Sequence, residues 1–557
     1  MENSPINILI SGEAGQGLQT VGQLFAKCLI RCGFSVHTDQ TFESRIRGGY
    51  STFVIRTGDK KVLAPSEPVD LALPLNEGNL TIDRPRLRPH GLMIGNDEWH
   101  IDDSRFVAVP FQSFGKKRYW NTAGIGVLSA VLGMDLEIVS KAVKERFEAD
   151  VAAENVDILK TAFRWAEEKP LDFKKLTRIE TLERKWMMNC HEAVAFGAIS
   201  GGIKFCAYYP MSPSTSIPIT LVAYADALGL IVEQVEDEIC ALNMAIGASY
   251  CGAPAMVATS GGGFALMTEA LSLAAATETP VVIVVAQRPG PATGLPTRTE
   301  QGDLQLVLYG GHGEFPRAVF APSNAEDCFH ITRHAVEMAE KYQIPAILLT
   351  DHHLSSSYQD MSPPDAANLP FVRSGTPLSN IQEPYWRYRL TETGVSPRLL
   401  PGQSRHLVIA DSHEHSQDGH ISEDLRFRPK LVEKRLKKGR ALTTEILPPE
   451  YTGTDNPDIL LVTWGSTRGA ALEAAQKLQD AHTSVGCLNF TQLWPMNPDH
   501  FFRILTDSKR VVGIEGNATG QLCRLIRQET GFHITKRICR YDGLSITPEF
   551  ILESLDH

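Results

Sequence analysis

No Cys-x-x-Cys occurs anywhere in this chain; its ten cysteines are scattered, and the closest pair, Cys28 and Cys32, are four apart. That excludes a dithiol redox motif and the usual cysteine runs that hold iron–sulfur clusters. Reduced thiols of a cytoplasmic protein are the plain expectation. Basic charge is also short: 54 Lys and Arg stand against 65 Asp and Glu, a net charge of −11. Nucleic acid and an anionic membrane both call for a basic face, so neither is expected as a partner. No apolar run approaches the roughly eighteen residues of a membrane span. The start, Met1-Glu-Asn-Ser-Pro5, enters an apolar strand with no basic segment before it, so no secretory signal is visible. Tandem repeats and low-complexity tracts are missing as well.

What remains is the composition of an ordinary globular protein, spread over 557 residues and therefore over several cores. The predicted fold class is α/β and multi-domain. Residues 1–174 read as one α/β domain. Its strand Ile6–Ile10 runs into Gly12-x-x-Gly15-x-Gly17, and a helix follows through Leu24, Leu29 and Ile30. Phe53–Ile55, Leu71–Leu73 and Leu92–Ile94 are further short apolar runs, and 122–147 reads as helices. Residues 175–186 are a charged link. A second, doubly wound unit spans 189–385, where β-branched runs alternate with helical stretches, the pattern of a parallel sheet. Residues 386–450 are rich in Pro, Gly, His and charge and read as an irregular connector. A third α/β unit covers 451–557, with apolar strands at 459–463 and 511–514.

Three polar loop motifs interrupt the second unit: Tyr209-Pro-Met-Ser-Pro-Ser-Thr215, Thr259-Ser-Gly-Gly-Gly263, and Arg288 through Leu304. Loops at the carboxyl ends of buried parallel strands are where such sheets bind ligands. Glu238 opens a helix and shares its face with Leu242, Ala245 and Ile246 at i+4, i+7 and i+8. A carboxylate on an apolar face needs a partner, although a first-turn acid is also favoured by the helix dipole. Ser212 lies between Pro210 and Pro213, which fix φ and present its hydroxyl; a simple turn has the same composition. Arg288 follows a buried strand, and a guanidinium there can meet a planar carboxylate with two hydrogen bonds. His312 could titrate near neutrality or simply pack. The spacing of His413, His415 and His420 fits no usual metal-ligand pattern, so no metal site is assigned.

Together Tyr209–Thr215, Glu238, Thr259–Gly263 and Arg288–Leu304 resemble the alpha subunit of 2-oxoacid:ferredoxin oxidoreductases. Met211, Ser212 and Thr215 stand where that family has Ile, Thr and Ser. Residues 1–174 resemble the family's gamma subunit, fused ahead of alpha, and 455–557 its transketolase-C-terminal-like domain. The resemblance implies that 189–385 binds the pyrimidine half of thiamine diphosphate, through Tyr209, Pro210, Ser212, Glu238, Ser260, Gly261 and Gly262. Thiamine chemistry needs a carboxylic acid beside N1′ of the aminopyrimidine, best placed in a dry site. Glu238 matches that activating residue. Ser212 and Arg288 match the groups that meet the 2-oxo acid, and Arg298 is a further candidate for a second substrate carboxylate.

The family holds the cofactor's Mg²⁺ with a Gly-Asp-Gly segment, and none occurs here. Mg²⁺-diphosphate and a 4Fe–4S cluster are therefore expected in a separate beta subunit, with ferredoxin as electron acceptor and an (αβ)₂ heterotetramer as the assembly. Coenzyme A is the expected co-substrate. Gly12, Gly15 and Gly17, with Arg45 and Arg47, are candidates for its phosphates, and a ligand-free turn would use similar glycines. The implied reaction is oxidative decarboxylation of 2-oxoglutarate to succinyl-CoA, reversible as CO₂ fixation. Pyruvate, branched-chain 2-oxo acids and indolepyruvate stay open as substrates. The rivals are a self-sufficient transketolase-like enzyme, a nicotinamide dehydrogenase built on the glycine loop, and a docking subunit without catalysis.

Overall fold

The computed structural model describes residues 5–43, 48–177, 179, 183–365, 368–370, 372 and 374–556. Arg45 and Arg47 lie outside these described residues. The chain forms two compact units. The first comprises Met1–Asn189 with Ser356–Pro364 and Thr547–Glu553, and the second comprises Cys190–Ser355, Asp365–Ile546 and Ser554–His557.

In the first unit the strand Ile6–Ala14 pairs parallel with Val69–Pro74 and antiparallel with Gly48–Gly58, near the middle of a mixed eight-stranded sheet. Its apolar run is fully buried because both faces are covered. Gly15 and Gly17 then take positive φ values of 91° and 76°, and Gly17 caps the helix Leu18–Arg31. That helix buries Leu24, Leu29 and Ile30, the residues that signalled it. The 122–147 stretch resolves into helices Trp120–Val131 and Leu136–Lys144. The helix Ala149–Glu167 was not legible in advance; its acids and Lys160 obscure a stripe of Ala152, Leu159, Ala162 and Phe163.

The second unit holds two sheets. The larger runs Gln492–Trp494, Ala318–Phe320, Pro345–Asp351, Val281–Gln287, Ala255–Thr259, Phe205–Tyr208, Ile231–Gln234. All its pairings are parallel except the one that joins Gln492–Trp494 to Ala318–Phe320. The central strand Val281–Gln287 is buried throughout, as a β-branched run covered on both faces must be. Ile231–Gln234 is an edge strand and is largely exposed. The second sheet, of five strands, has Ile459–Trp464 at its centre, and one core joins Val285 and Val319 to Leu460, Val462 and Trp464.

The connector contains an element the sequence hid. Its basic run folds into the helix Arg428–Leu442, which buries Lys434 and Lys438 one turn apart. Both ammoniums reach the fully buried Glu278, Lys434 at 2.6 and 2.7 Å and Lys438 at 2.9 Å. Burial alone would raise the Glu278 carboxyl, but Lys434 and Lys438 outweigh it and hold the group ionised, well below the usual carboxylate range. The same burial pushes Lys438 down to about 7 against the pull of Glu278, so each charge depends on the others. Among the described residues no helix is long and apolar enough to cross a membrane.

Candidate functional site

Asp237 caps the helix Glu238–Tyr250, its side chain accepting from the Cys240 amide at 2.7 Å. Capping thus falls to Asp237, and Glu238, the first helical residue, is free to turn inward. It is 3% exposed and lies on the buried face with Ala241, Leu242, Ala245 and Ile246. Glu238 Oε1 has no hydrogen-bond partner. A buried carboxyl oxygen left unpaired costs on the order of 1–3 kcal/mol.

The strand Ala255–Thr259 ends at Ser260, and the glycines that follow start the helix Gly261–Ala276. A Cβ on Gly263 would lie 2.0 Å from Thr259 Oγ1 and 2.5 Å from Glu238 Oε1. One on Gly261 would lie 2.4 Å from Asp303 Oδ2. Gly262 between them is exposed. The turn therefore presents bare backbone beside a buried acid, the surface a flat ring requires.

The Tyr209–Thr215 loop is fixed from within. Ser214 and Thr215 hydroxyls donate to the Met211 carbonyl, at 2.8 and 3.1 Å. Beneath it the buried His191 joins Ser216 Oγ through Nδ1 and Thr350 Oγ1 through Nε2, each at 2.9 Å. Burial pushes His191 down to about 3, so the ring is neutral and structural. Tyr209, Pro210 and Ser212 are left exposed. Arg288 Nη1 donates to the Ser212 carbonyl at 2.8 Å, which brings the two sequence-predicted substrate groups together.

Arg298 lies apart from this pair. Its side chain packs over Gly543, whose Cβ would meet Arg298 Cβ at 3.0 Å. Among the described residues no hydrogen bond or ion pair joins it to Glu238, Ser212 or Arg288. His312 is exposed. His413 binds Asp411, His420 binds Asp418, and the buried His415 stacks on Tyr388, so the three histidines do not converge.

Asp303, Gln287 and Gln301 lie beside these residues, and no sequence motif marks them individually. The Asp303 amide donates to Gln287 Oε1 at 2.9 Å, while Gln287 Nε2 donates to the Thr350 carbonyl at 3.1 Å. Gln301 Nε2 reaches the Trp464 carbonyl, and Gln301 Oε1 accepts from the Gly516 amide. The Arg288–Leu304 loop is thereby stitched to the five-stranded sheet. The available signal was an acid at the end of a motif, directly before the apolar helix Leu304–Tyr309.

In the first unit Gly15 and Gly17 border a cavity of about 580 Å³, together with Asn76, Trp99, Lys117 and Trp120. Gly12 lies within the strand Ile6–Ala14.

A family model described as pyruvate flavodoxin/ferredoxin oxidoreductase, thiamine diphosphate-binding, matches residues 196–432. Models for pyruvate ferredoxin/flavodoxin oxidoreductase and for the transketolase C-terminal domain match 7–165 and 452–538. The chain is 31% identical to 2-oxoacid:ferredoxin oxidoreductase 1, subunit alpha, of Aeropyrum pernix, over 79% of this chain and 71% of that protein. It is 31% identical to 2-oxoglutarate synthase subunit KorA of Archaeoglobus fulgidus, over 66% of this chain and 97% of that one. The solved structure of 2-oxoglutarate:ferredoxin oxidoreductase from Magnetococcus marinus, with 2-oxoglutarate, coenzyme A and succinyl-CoA bound, matches with a TM-score of 0.94 at 29% identity, covering 100% of this chain and 99% of that one. The chain belongs to the 2-oxoacid:ferredoxin oxidoreductase family as an alpha subunit, and it carries that family's thiamine diphosphate-binding domain.

Proposed function

We propose that this chain is the alpha subunit of a coenzyme A-dependent 2-oxoglutarate:ferredoxin oxidoreductase, and that Glu238 activates its thiamine diphosphate. The observation that carries this is the unpaired Oε1 of a buried Glu238 beside a glycine turn with no room for a Cβ at Gly261 or Gly263. That arrangement fits an aminopyrimidine: the acid shares a proton with N1′, and Ser260, Gly261 and Gly262 offer flat backbone to the ring. Tyr209 and Pro210, both exposed on their loop, would supply further contacts to the ring. Bound there, thiamine diphosphate supplies the carbon nucleophile for the 2-carbonyl and the electron sink for decarboxylation.

Ser212, an exposed residue, and Arg288 receive the substrate. Arg288 is half-buried, and burial lowers its pKa while Asp303 opposes the shift; a guanidinium in that setting pairs with a carboxylate more strongly than in water. The same carboxylate-binding pair serves any 2-oxo acid. 2-Oxoglutarate is named first because the Magnetococcus marinus protein binds it and the Archaeoglobus fulgidus relative is a 2-oxoglutarate synthase subunit. A second substrate carboxylate would call on Arg298.

A beta subunit supplies Mg²⁺-diphosphate and a 4Fe–4S cluster, and ferredoxin takes the electrons; the reaction runs backwards as CO₂ fixation under strong reductant. Support for such a partner comes from the surface around the site. Ile219, Val222, Leu228, Ile231, Ile239 and Leu266 are all at least 40% exposed; the first five belong to the edge strand and its two flanking helices, and Leu266 to the helix Gly261–Ala276. Helices that are apolar all round are normally covered. Coenzyme A would bind at the 580 Å³ cavity, a reading supported by Gly15 and Gly17 before a helix N-terminus and by Lys117 in its lining.

Co-expression with the beta chain and a panel of 2-oxo acids, read with coenzyme A and a viologen dye, tests the reading. The highest kcat/KM is expected for 2-oxoglutarate. Dye reduction with none of the acids would refute it.

A further inference from the structure

Asp303 is the second unpaired acid of this site. Its Oδ2 is buried without a hydrogen-bond partner, as is Glu238 Oε1. The two carboxyls press on one glycine turn, Asp303 against Gly261 and Glu238 against Gly263. The cofactor accounts for Glu238 and leaves Asp303 unexplained. Its carboxyl caps nothing, for the helix Leu304–Tyr309 receives no side-chain cap. Nor does it form a direct ion pair among the described residues, although Arg288 is near enough to pull its pKa down. Yet it is firmly held, by its own amide on Gln287 and by Gln521 Nε2 on the adjacent Gly302 carbonyl at 2.6 Å.

The charged groups around it are few. Glu300, on the same loop, acts to raise its pKa and Arg288, just after the central strand, to lower it. Glu238 faces the turn from the neighbouring helix. The turn itself, Gly261–Gly263, brings no charge, and Gln287 and Gln521 are neutral. An anionic substrate on Arg288 therefore approaches a region that already holds acids, and an ionised Asp303 would repel it.

Building on the 2-oxo acid reading above, we propose that Asp303 binds substrate in its protonated form, donating a hydrogen bond to the carboxylate held by Arg288, so that substrate binding takes up one proton. Burial first, then Glu300, pushes the free Asp303 carboxyl up to about 6, with Arg288 opposing. An incoming carboxylate raises it further. The sign follows directly. Below about pH 6 the proton is already present and affinity is independent of pH. Above that value each binding event must recruit a proton, and affinity falls as pH rises, by up to about tenfold per pH unit, the limit for one coupled proton.

The test uses the reconstituted alpha–beta complex loaded with thiamine diphosphate. Calorimetric titration with the 2-hydroxy acid matching its preferred substrate, which lacks the reacting carbonyl, is run in two buffers of different ionisation enthalpy above pH 7. The wild type should take up close to one proton per site, and Asp303→Asn none. KM for the 2-oxo acid should rise with pH in the wild type and stay flat in Asp303→Asn. Glu300→Gln removes the acid neighbour and should move the wild-type rise to lower pH without abolishing it. Zero proton uptake by an active wild-type complex overturns the proposal on unmodified protein, whatever Asp303→Asn does to folding. So does an Asp303→Asn complex whose KM still rises. A complex that turns over no 2-oxo acid would sink the functional reading, and this inference with it.

Discussion

Gly263 and Glu238 exclude any side chain between them: a Cβ on the glycine would stand 2.5 Å from Glu238 Oε1. Ala241, Leu242 and Ala245 are fully buried on the same helix face, so the carboxyl sits in a packed setting. Gly263→Ala should therefore displace the acid. We expect a loss of about 1–3 kcal/mol in stability, typical of overpacking, and a disproportionate loss of turnover. Thermal unfolding and dye reduction on the same preparation check both.

Glu238→Gln separates chemistry from folding. The amide keeps the shape, cannot share a proton with N1′, and removes an unpaired buried acid. Turnover should fall about 10²–10⁴-fold, the range for a lost acid–base group. The melting temperature should stay level or rise. A large drop in melting temperature would mean that Glu238 serves the fold.

Arg288→Ala should raise KM for 2-oxo acids by about tenfold to a hundredfold, the loss of a charged hydrogen-bonded contact. Arg288→Lys should recover part of it, because a point charge replaces only one arm of the fork. Arg298→Ala should matter for 2-oxoglutarate and not for pyruvate. Steady-state kinetics with both acids distinguish the two arginines.

Much of this was legible in sequence, and for local reasons. The run 281–286 announces itself as a central strand because it is apolar throughout, and Glu238 is conspicuous because its i+4, i+7 and i+8 neighbours are apolar. Ser212 and Arg288 were each readable from the loop chemistry, but their mutual hydrogen bond was not, since they are far apart along the chain. Asp303 was hidden by a different circumstance: next to Glu300 and Arg298 it reads as one more charge in a polar loop. Only the fold reveals that its Oδ2 is buried. Lys434 and Lys438 were concealed by the opposite rule, that basic runs face water; their partner Glu278 lies just past the helix Gly261–Ala276, beyond any local pattern.

That triad gives a stability prediction. Lys438→Met leaves Glu278 with one ammonium where it now has two, and Lys434→Met removes the closer of them. Breaking a buried ion pair from one side costs about 3–5 kcal/mol. Denaturant melts should show the loss, with substrate KM unchanged in whatever protein folds.

The exposed apolar residues predict assembly. Ile239→Glu, on a side chain 49% exposed, should leave the isolated chain's melting temperature within a degree or two, as surface substitutions do. It should abolish co-purification with the beta chain.

Deuterium exchange at C2 of the bound thiazolium, followed by NMR in the reconstituted complex, bears most directly on the role of Glu238. Wild-type complex should exchange at least about a hundredfold faster than the Glu238→Gln complex, with both holding equal amounts of cofactor. Equal exchange rates at equal occupancy would contradict it.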